Sequence, residues 1–175
     1  MHPKLFDVRV AQVRQLTPCV REYLLATPDG SALPTWTAGA HIALHLTSAA
    51  RGLTIRHYSL IGGDGLQEDP PHTCRIAVQR EAQGWASNLI HESFQVGTAV
   101  RIGPPVNSFA LDRNASRVLL LAGGIGITPL LPMARSLLRR KRSFAMVYSG
   151  RTADQMAYAR TLQDSQHHQR PVHQR

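Results

Sequence analysis

The sequence predicts an antiparallel β barrel followed by the beginning of an α/β lobe. Two patterns lead to this prediction. Short stretches of alternating apolar and polar residues, separated by turn formers, occupy the chain as far as residue 103. A continuous apolar run, VLLLA at 118–122, then leads into a glycine-rich turn and an amphipathic segment, which is typical of a parallel strand followed by a helix. The change of pattern places a domain boundary near Asn114.

Six segments of the first part have the length and the alternation of half-buried strands. Turn-forming stretches such as TPDGS at 27–31 and EDPPH at 68–72 separate them. The predicted strands cover 6–13, 21–27, 41–46, 55–61, 74–80 and 99–103. We expect a six-stranded antiparallel Greek-key barrel, closed or nearly closed, because closure protects the edges of short antiparallel strands.

One helical stretch, GWASNLIHESF at 84–94, interrupts the strand pattern. We expect Ser87 to cap this short helix, because a serine hydroxyl can accept a hydrogen bond from a free N–H group of the first turn. Leu89, Ile90 and Phe94 are then available to its buried side. The sequence therefore predicts a short helix between the fifth and sixth strands.

The second part of the chain has the β-α-β order of a doubly wound sheet. After VLLLA, Thr128 is expected to be the helix N-cap and Pro129 the first helical residue, because a helix start does not use the N–H group that proline lacks. Apolar residues at 130, 133, 134, 137 and 138 give this helix one buried face. FAMVYSG at 144–150 predicts a second strand, and TADQMAYARTL at 152–162 predicts the start of another helix.

These patterns divide the chain into a barrel domain over 1–113, an incomplete doubly wound lobe over 114–165 and a polar tail over 166–175 that we expect to be disordered. The formal net charge of +9 belongs to the later part. Residues 1–134 contain 11 basic residues (Lys and Arg) and 9 acidic residues (Asp and Glu). Residues 135–175 contain 9 basic residues and 2 acidic residues. The basic run RRKR lies at the expected helix end, where cations are favoured, and lacks aromatic neighbours. No nucleic-acid interface is expected.

Other classes of protein and site are excluded by simple features. The sequence has no run of eighteen apolar residues and no secretory pattern, so we expect a cytoplasmic protein without membrane association. Cys19 and Cys74 have no metal-binding spacing. His41 and His45 share a strand face but lie about 13 Å apart, too far to share an ion. No metal site is expected.

Three motifs carry candidate chemistry. GGIG at 123–126 lies between a strand and a helix, where glycine lets the backbone approach a phosphate. In RHYS at 56–59, Arg56 and Tyr58 share a strand face, so a cation and a ring could hold a phosphate and cover a flat heterocycle. GWAS at 84–87 places a glycine before the positive end of a helix. Taken singly, each motif also fits a packing turn, a cross-strand pair or an ordinary helix start.

In this order, RHYS, GWAS and GGIGITP resemble the ferredoxin–NADP reductase superfamily, and most closely its branch of phthalate dioxygenase reductase and vanillate demethylase reductase. Further similar stretches are AGAHIALHL, RIGPPVNSFALD, LLLAGGIGITPLLPMA and VYSGRT. The resemblance extends from Phe6 to Leu162, nearly the whole chain. It implies a flavin-binding barrel of the FAD-binding FR type, followed by an NAD-binding lobe.

The resemblance also implies residue roles. Arg56 would hold the flavin phosphate, the Tyr58 ring would pack on the isoalloxazine, and Ser59 would approach the reactive ring nitrogen. Ser59 and Thr128 are the two residues assigned to the reaction centre. The other flavin contacts would come from His57, Ile76, Ala77, Val78, Gly84 and Ser87, and the nicotinamide dinucleotide would meet Gly123, Gly124, Gly126, Thr128, Pro129, Ser149 and Arg151.

The implied activity is that of an FMN-containing, NAD(P)H-dependent flavin oxidoreductase, with FAD as the alternative flavin. It would pass electrons from NADH or NADPH to a terminal oxygenase or an iron–sulfur acceptor. Two cysteines cannot bind the plant-type [2Fe–2S] cluster of this branch, which needs four. Because few residues follow Asn114, we expect an incomplete NAD lobe that self-associates. The alternative is a flavin- or nucleotide-binding fragment without efficient turnover.

Overall fold

A computed structural model describes residues 4–49, 51–62, 69–112 and 114–166, with side chains as far as Leu162 in the last segment. The first part contains β1 (Phe6–Thr17), β2 (Val20–Ala26), β3 (His41–Ser48), β4 (Gly52–Ser59), β5 (Thr73–Gln79), α1 (Trp85–Ser93) and β6 (Ala99–Ile102). The second part contains β7 (Leu119–Gly123), a 3-10 turn (Gly124–Ile127), α2 (Leu130–Arg139), β8 (Ala145–Ser149), a second 3-10 turn (Ala153–Gln155) and α3 (Ala159–Gln166). No helix in the described ranges is long and apolar enough to cross a membrane.

The six strands of the first part form one antiparallel sheet in the order β4-β3-β6-β1-β2-β5. The predicted six-stranded antiparallel sheet is therefore confirmed. Within the described residues no ladder joins the edge strands β4 and β5. The N–H group of Ile61, just beyond β4, nevertheless donates a 3.0 Å hydrogen bond to the Arg75 carbonyl of β5. The sheet thus curls until its edges approach each other, without a closed strand ladder.

The inner face of the curled sheet encloses the first hydrophobic core. Alternate residues of the strands point inwards, such as Tyr23 and Leu25 of β2 and Ile42 and Leu44 of β3, and all four are fully buried. α1 packs against the same core through Ile90, on the side that the sequence predicts. Each large apolar side chain buried in this way contributes about 1.5–3 kcal/mol to folding, so this core holds the first part together.

A second hydrophobic core forms between the sheet and the α/β part. Val20 of β2 and Ala77 of β5 enter it from the sheet. From the α/β part it receives Leu120, Ala122, Ile127, Leu130, Leu131, Met133, Ala134, Leu137, Ala157 and Tyr158. Since Ile76 and Val78 face the first core, β5 is buried on both faces. Its burial therefore lacks the alternation that is typical of a strand with one solvated face.

β7 and β8 form a two-stranded parallel sheet connected through α2, which confirms the predicted strand–helix–strand order. One face of β7 enters the second core through Leu120 and Ala122. On the other face, Leu119, Leu121 and Val147 are 58%, 64% and 55% exposed. The apolar run predicts a strand covered on both faces, and within the described residues only one face is covered.

The connection after β6 folds back onto β3 and so joins two of the family-like stretches. Val106 and His41 exchange two backbone hydrogen bonds of 2.9 Å. The Asn107 side-chain amide donates to Thr37 Oγ1 at 2.6 Å and to the Ala38 carbonyl at 3.0 Å. RIGPPVNSFALD is therefore anchored on AGAHIALHL before the chain enters the α/β part.

α3 begins later than the sequence predicts. The helix expected within 152–162 is preceded by the 3-10 turn at Ala153–Gln155 and by Tyr158, whose φ is +65°. A residue in the left-handed region cannot continue a right-handed helix, so α3 begins directly after it, at Ala159. Of the tail predicted over 166–175, Gln166 ends α3 and residues 167–175 lie outside the described part of the chain.

Candidate functional site

The RHYS motif lies at the end of β4, an edge strand of the sheet. Across the β3–β4 ladder, Tyr58 pairs with Ile42 and Arg56 pairs with Leu44. Because both partners are buried in the first core, Tyr58 and Arg56 share the inward face, as the sequence predicts. Tyr58 is half-buried, whereas Arg56 is exposed and donates a 2.9 Å hydrogen bond to the Ile55 carbonyl. The motif offers a cation and an aromatic ring side by side at the rim of the sheet.

The phenol of Tyr58 stays protonated through the physiological range. Burial raises its pKa to about 12, and the positive charge of Arg56 opposes only part of this rise. Tyr58 therefore presents a neutral ring and a hydroxyl donor next to the exposed guanidinium of Arg56.

His57 and Ser59 lie on the opposite face of β4. The His57 ring meets the His41 ring edge-on, with the centroids 5.1 Å apart, and Ser59 pairs with His41 across the ladder. Partial burial lowers the pKa of His41, and the neighbouring His57 lowers it further. His41 is therefore neutral near pH 7. The half-buried Ser59 hydroxyl lies beside an uncharged imidazole.

The three β5 residues expected to line a flavin, Ile76, Ala77 and Val78, are all buried. The Arg75 carbonyl accepts its hydrogen bond from the N–H of Ile61, on the side of β5 away from β2. Because backbone directions alternate along a strand, the N–H and C=O groups of Ala77 turn to the same edge. Donors and acceptors on such an edge can recognise the polar rim of a flat heterocycle.

Val78 is held in place from α1 by His91. The Nε2 atom of His91 lies 2.9 Å from the Val78 carbonyl, and because a carbonyl only accepts, Nε2 donates. Burial lowers the pKa of His91; the hydrogen bond to Val78 opposes this, and the charges of Arg21 and Arg80 add to it. A neutral, buried imidazole thus fixes the backbone of β5 at the position where flavin contacts are expected.

α1 begins at Trp85 with Gly84 as its N-cap residue, so the prediction that Ser87 caps the helix is wrong. Ser87 Oγ donates to the Gly84 carbonyl at 3.0 Å and accepts from the Glu81 N–H at 3.1 Å. Its hydroxyl closes the turn before the helix instead of capping the first turn. A Cβ on Gly84 would lie 2.6 Å from Ser87 Oγ, so this turn requires glycine.

The glycine turn starts at the carboxyl end of β7. Gly123 ends the strand and Gly124 has a φ of +50°, in the region that favours glycine. A Cβ built on Gly124 would lie 3.9 Å from Gln79 Oε1, so the turn runs against the end of β5. A Cβ on Gly126 would meet no described heavy atom within 4 Å. A ligand can therefore approach the backbone of Gly126 directly.

Thr128 and Pro129 do not have their predicted places as N-cap and first helical residue. Thr128 already has helical dihedral angles, φ −57° and ψ −48°, and α2 begins at Leu130 with Pro129 as its N-cap residue. Thr128 Oγ1 donates a 3.0 Å hydrogen bond to the Ile125 carbonyl. Because threonine readily bonds to nearby backbone carbonyls, its hydroxyl closes the 3-10 turn instead of capping α2.

Ser149 and Arg151 follow at the end of β8. Since β7 and β8 are parallel, their carboxyl ends are adjacent, and Ser149 pairs with Gly123. Ser149 Oγ donates a 3.4 Å hydrogen bond to the Ala122 carbonyl, and Arg151 is exposed two residues later. A hydroxyl and a cation therefore lie at the same sheet edge as the glycine turn, which is the edge where doubly wound sheets bind ligands.

The two groups of predicted residues meet at the second core. Ile61, two residues after Ser59, belongs to it together with Ala77 of β5 and Ile127 of the glycine turn. Arg135 of α2 also donates a 2.8 Å hydrogen bond to the Ile61 carbonyl. The end of RHYS, the outer face of β5 and the glycine turn are thus held against one another by one buried cluster.

Two cavities of the structure lie elsewhere. One, of about 340 Å³, is lined by residues that include Trp36, Pro71 and Arg135, and the other, of about 450 Å³, lies between the β1–β2 turn and residues 153–161. None of the predicted cofactor-binding residues lines either of these two cavities. Some of the predicted residues are exposed where the two parts of the chain meet, namely Arg56, His57, Gly123, Gly126, Ser149 and Arg151. The predicted β5 residues, Ser87 and Thr128 are buried.

A buried ionic cluster at the same junction was not predicted from the sequence. Glu22 of β2 is 2% exposed; its Oε1 accepts from Arg75 Nη1 at 2.7 Å and from Arg14 Nε at 3.1 Å. Its Oε2 accepts from the Tyr158 hydroxyl at 2.6 Å. We call Arg14, Glu22, Arg75 and Tyr158 the Glu22 cluster. The sequence signal for it is a carboxylate beside the apolar residues of the strand REYLLAT.

Comparisons with known proteins agree with this arrangement. Residues 120–174 match the oxidoreductase NAD-binding domain family. The heme-dependent oxidative N-demethylase beta subunit of Ectopseudomonas mendocina (strain ymp) is 40% identical over 161 residues, covering 90% of this chain and 48% of that protein. The vanillate O-demethylase oxidoreductase of Pseudomonas sp. (strain HR199 / DSM 7063) is 35% identical over 158 residues, with coverages of 90% and 48%. The chain spans about half the length of the curated relatives it matches.

The solved structure of phthalate dioxygenase reductase superposes on 88% of this chain and 46% of its own, with a TM-score of 0.77 and 31% identity. The chain belongs to the ferredoxin–NADP reductase superfamily. Its resemblance to the phthalate dioxygenase reductase and vanillate demethylase reductase branch of this superfamily is confirmed. A type IV self-sufficient cytochrome P450 monooxygenase also superposes on 94% of this superfamily member, with a TM-score of 0.83 and 30% identity, over 20% of its own chain.

Proposed function

We propose that this member of the ferredoxin–NADP reductase superfamily is a flavin-dependent NAD(P)H oxidoreductase, the electron-transfer reductase component of a ring-hydroxylating or demethylating oxygenase system. The packing of the glycine turn against β5 carries the proposal, because Ile127 shares the second core with Ala77 and a Cβ built on Gly124 would lie 3.9 Å from Gln79 Oε1. It brings the expected dinucleotide site against the expected flavin strand. Hydride transfer needs this proximity, because the reacting atoms must come within about 3–3.5 Å of each other.

The flavin would lie at the partly exposed end of β4, beside the backbone edge of β5 and the start of α1. The exposed Arg56 guanidinium would bind its phosphate by a charge-assisted hydrogen bond, and the neutral Tyr58 ring would cover the isoalloxazine. Ser59 would approach the reactive nitrogen, and the edge groups of Ala77 would meet the polar rim of the ring. The other proposed flavin contacts are His57, Ile76, Val78, Gly84 and Ser87.

The nicotinamide dinucleotide fits the carboxyl ends of β7 and β8. The open space at Gly126 and the left-handed turn at Gly124 form a cradle that a side chain would obstruct. Ser149 and Arg151 would contact the ribose or a phosphate. Gly123, Thr128 and Pro129 complete the proposed site, with Thr128 and Ser59 nearest to the reaction centre.

When bound, a flavin supplies an acceptor for the hydride of NAD(P)H and releases the electrons one at a time. This chemistry needs no side-chain nucleophile, so the residues described here bind, orient and exclude water. The second core contributes most directly, because it holds the glycine turn on β5 and keeps solvent out of the junction. Tyr58 and His41 are uncharged, so the Arg56 guanidinium is the cation that the RHYS motif offers to an anionic phosphate.

We infer FMN in preference to FAD from the likeness to the phthalate dioxygenase reductase branch. The two cysteines of this chain cannot supply the four ligands of a plant-type [2Fe–2S] cluster. Electrons would therefore pass to a terminal oxygenase or an iron–sulfur acceptor outside these 175 residues. The names of two relatives support this proposal, a 3-chlorobenzoate-3,4-dioxygenase reductase subunit and a carnitine monooxygenase reductase subunit.

We also infer that residues 1–113 act as a flavin-binding barrel with Greek-key connections and that residues 114–165 begin the NAD lobe. The hydrogen bond from Ile61 to the Arg75 carbonyl supports closure, because it links the ends of the two edge strands. The strand order β4-β3-β6-β1-β2-β5 supports the Greek-key description, since sequence neighbours β4 and β5 lie at opposite edges.

An alternative is a flavin-binding fragment that binds the dinucleotide without efficient turnover. The exposed face formed by Leu119, Leu121 and Val147 favours it, because a parallel strand in a complete lobe is covered on both faces. In that case Tyr58 and Arg56 would retain flavin, but the nicotinamide would not be held close enough to the flavin.

The distinguishing experiment follows flavin absorbance in a rapid-mixing instrument under anaerobic conditions. The purified chain is reconstituted with FMN and mixed either with NADH or with dithionite. Complete reduction by stoichiometric NADH, on the time scale of the dithionite reaction, supports the oxidoreductase. Reduction by dithionite alone supports the fragment. If neither FMN nor FAD binds, both proposals are wrong, and acid release of bound flavin followed by chromatography identifies which flavin is present.

A further inference from the structure

The Glu22 cluster joins the sheet to the α/β part through one carboxylate. Glu22 and Tyr158 are 2% and 8% exposed, and the Tyr158 hydroxyl donates to Glu22 Oε2 at 2.6 Å. The other oxygen accepts from Arg75 Nη1 at 2.7 Å, and Arg75 also pairs with Asp69 at 2.8 Å. Glu22 and Tyr158 are 136 positions apart in the chain. The hydrogen bond therefore links one proposed lobe directly to the other.

The donor in this link is held in a defined state and position. Burial raises the pKa of the Tyr158 phenol, and the negative charge of Glu22 raises it further, so the hydroxyl keeps its proton. The backbone of Tyr158 has a φ of +65° immediately before α3. The preceding residue, Ala157, accepts a 3.1 Å hydrogen bond from Tyr148 of β8. The Tyr158 side chain is thus aimed at the sheet by structure on both sides of it.

The cluster lies on the strand that carries the proposed flavin contacts. Arg75, Ala77 and Gln79 alternate along the outer face of β5, so Arg75 of the cluster and Gln79 beside the glycine turn are about 13 Å apart at 3.3 Å per residue. At the edge of β5 opposite to β2, Ile61 donates to the Arg75 carbonyl and accepts from Arg135, so this edge and the second core hold α2. One such attachment leaves the α/β part free to rock about it, whereas two attachments restrain its tilt.

We propose that Tyr158 is a positioning residue that, through its hydrogen bond to Glu22, fixes the tilt of the α/β part against the sheet and thereby the distance between the nicotinamide and the flavin. The proposal rests on the proposed function for its effect on hydride transfer. The effect on tilt concerns the protein alone and can be measured without a cofactor.

The first measurement is hydrogen–deuterium exchange of the chain carrying Tyr158→Phe. The control is Tyr23→Phe, which removes a buried tyrosine hydroxyl bonded within the first part, to the Ile90 carbonyl at 3.5 Å, and leaves the Glu22 cluster intact. We expect Tyr158→Phe to accelerate exchange at least fivefold in the segments 73–79 and 145–162, while β1, β3 and β6 keep their protection. Exchange in both segments equal to that of the control would overturn the proposal.

The second measurement is the rate of flavin reduction by NADH in the same two variants. A misplacement on the order of 1 Å costs roughly a hundredfold in rate, so we expect Tyr158→Phe to lose at least tenfold at saturating NADH. The half-saturating NADH concentration and reduction by dithionite should change less than twofold. A purely structural role would alter flavin retention and not this rate. An unchanged rate, or a slower rate without faster exchange, contradicts positioning. If the chain binds no flavin, the proposed function fails, and the exchange result alone decides whether Tyr158 fixes the tilt.

Discussion

Gly39 lies against the main chain of Phe109 so closely that a Cβ at position 39 would come within 1.9 Å of the Phe109 carbonyl oxygen. The φ of Gly39 is +95°, a backbone angle that residues with a side chain rarely adopt. This contact lies beside the paired hydrogen bonds of His41 and Val106. It explains why glycine precedes β3, and it fixes the path along which the chain leaves the sheet for the α/β part.

The first prediction tests this close contact by comparing two glycines. Gly39→Ala should lower the free energy of unfolding by roughly 3 kcal/mol or more, because it adds a backbone clash to the left-handed strain. Gly30 also has a positive φ, +73°, but a Cβ there meets nothing within 4 Å. Gly30→Ala should therefore cost only about 1–2 kcal/mol. Urea unfolding of both variants gives the comparison. Equal losses of unfolding free energy would show that the close contact with Phe109 does not add to the cost at position 39.

The second prediction concerns the proposed flavin phosphate contact. Arg56→Ala should raise the FMN dissociation constant about 10- to 150-fold, because a hydrogen bond to a charged group is worth about 1.5–3 kcal/mol. Arg101→Ala is the matched control, since it removes an exposed arginine of the same sheet that pairs with Asp7 at 3.3 Å. Fluorescence titration with FMN measures both constants. Identical FMN affinities in the two variants would show that Arg56 does not bind the flavin phosphate.

The third prediction follows from the lowered pKa of His91. The folded chain holds this imidazole neutral, whereas the unfolded chain protonates it near the ordinary value of about 6.5. Its contribution to stability is therefore fully present above pH 6.5 and is lost as the pH falls through the lower folded-state pKa. His91→Gln keeps an N–H donor for the Val78 carbonyl. Between pH 7 and pH 5, its free energy of unfolding should fall less steeply than that of the unsubstituted chain.

Chemical unfolding at several pH values measures the slope for His91→Gln, with the unsubstituted chain as the control. His41, whose pKa is also lowered, should account for part of the slope that remains in His91→Gln. A slope in His91→Gln as steep as that of the control would mean that His91 is protonated equally easily in both states.

The fourth prediction concerns the exposed face of β7 and β8. We propose that a second copy of the chain covers Leu119, Leu121 and Val147, because an apolar face favours association when it lies next to a strand edge that is unpaired within the described residues. Leu121→Lys should convert the protein to a monomer in sedimentation velocity at tens of micromolar. Val96→Lys places the same charge at another exposed apolar position, 69% exposed, and should leave association unchanged. A monomeric unsubstituted chain at these concentrations would contradict the proposal.

Local patterns were sufficient to predict the strands, because alternation and turn residues act over a few positions. The faces of Arg56 and Tyr58 and the order β7, α2, β8 follow from periodicity alone. Capping was predicted less well. Ser87 and Thr128 have the right chemistry for N-caps, but each finds a nearby carbonyl in its own turn, and sequence alone does not decide between these local hydrogen bonds.

Contacts between distant segments account for the features that were not predicted. In the sequence, Glu22 has no visible partner within its strand. The fold brings Tyr158 and Arg75 to its carboxylate. The late start of α3 has the same origin, since the φ of Tyr158 accompanies its contact with the sheet. The continuous burial of β5 likewise depends on the α/β part, which no pattern within seven residues can reveal.

That double burial of β5 has a thermodynamic consequence. Removing the α/β part would expose Ala77 and leave the Glu22 carboxylate without its phenol donor, so the remaining sheet would lose apolar burial and keep a poorly solvated charge. Each part therefore draws stability from the presence of the other. We therefore expect the chain to melt in one cooperative transition in a calorimeter, with a single heat-capacity peak in place of the two that independently folding domains would show.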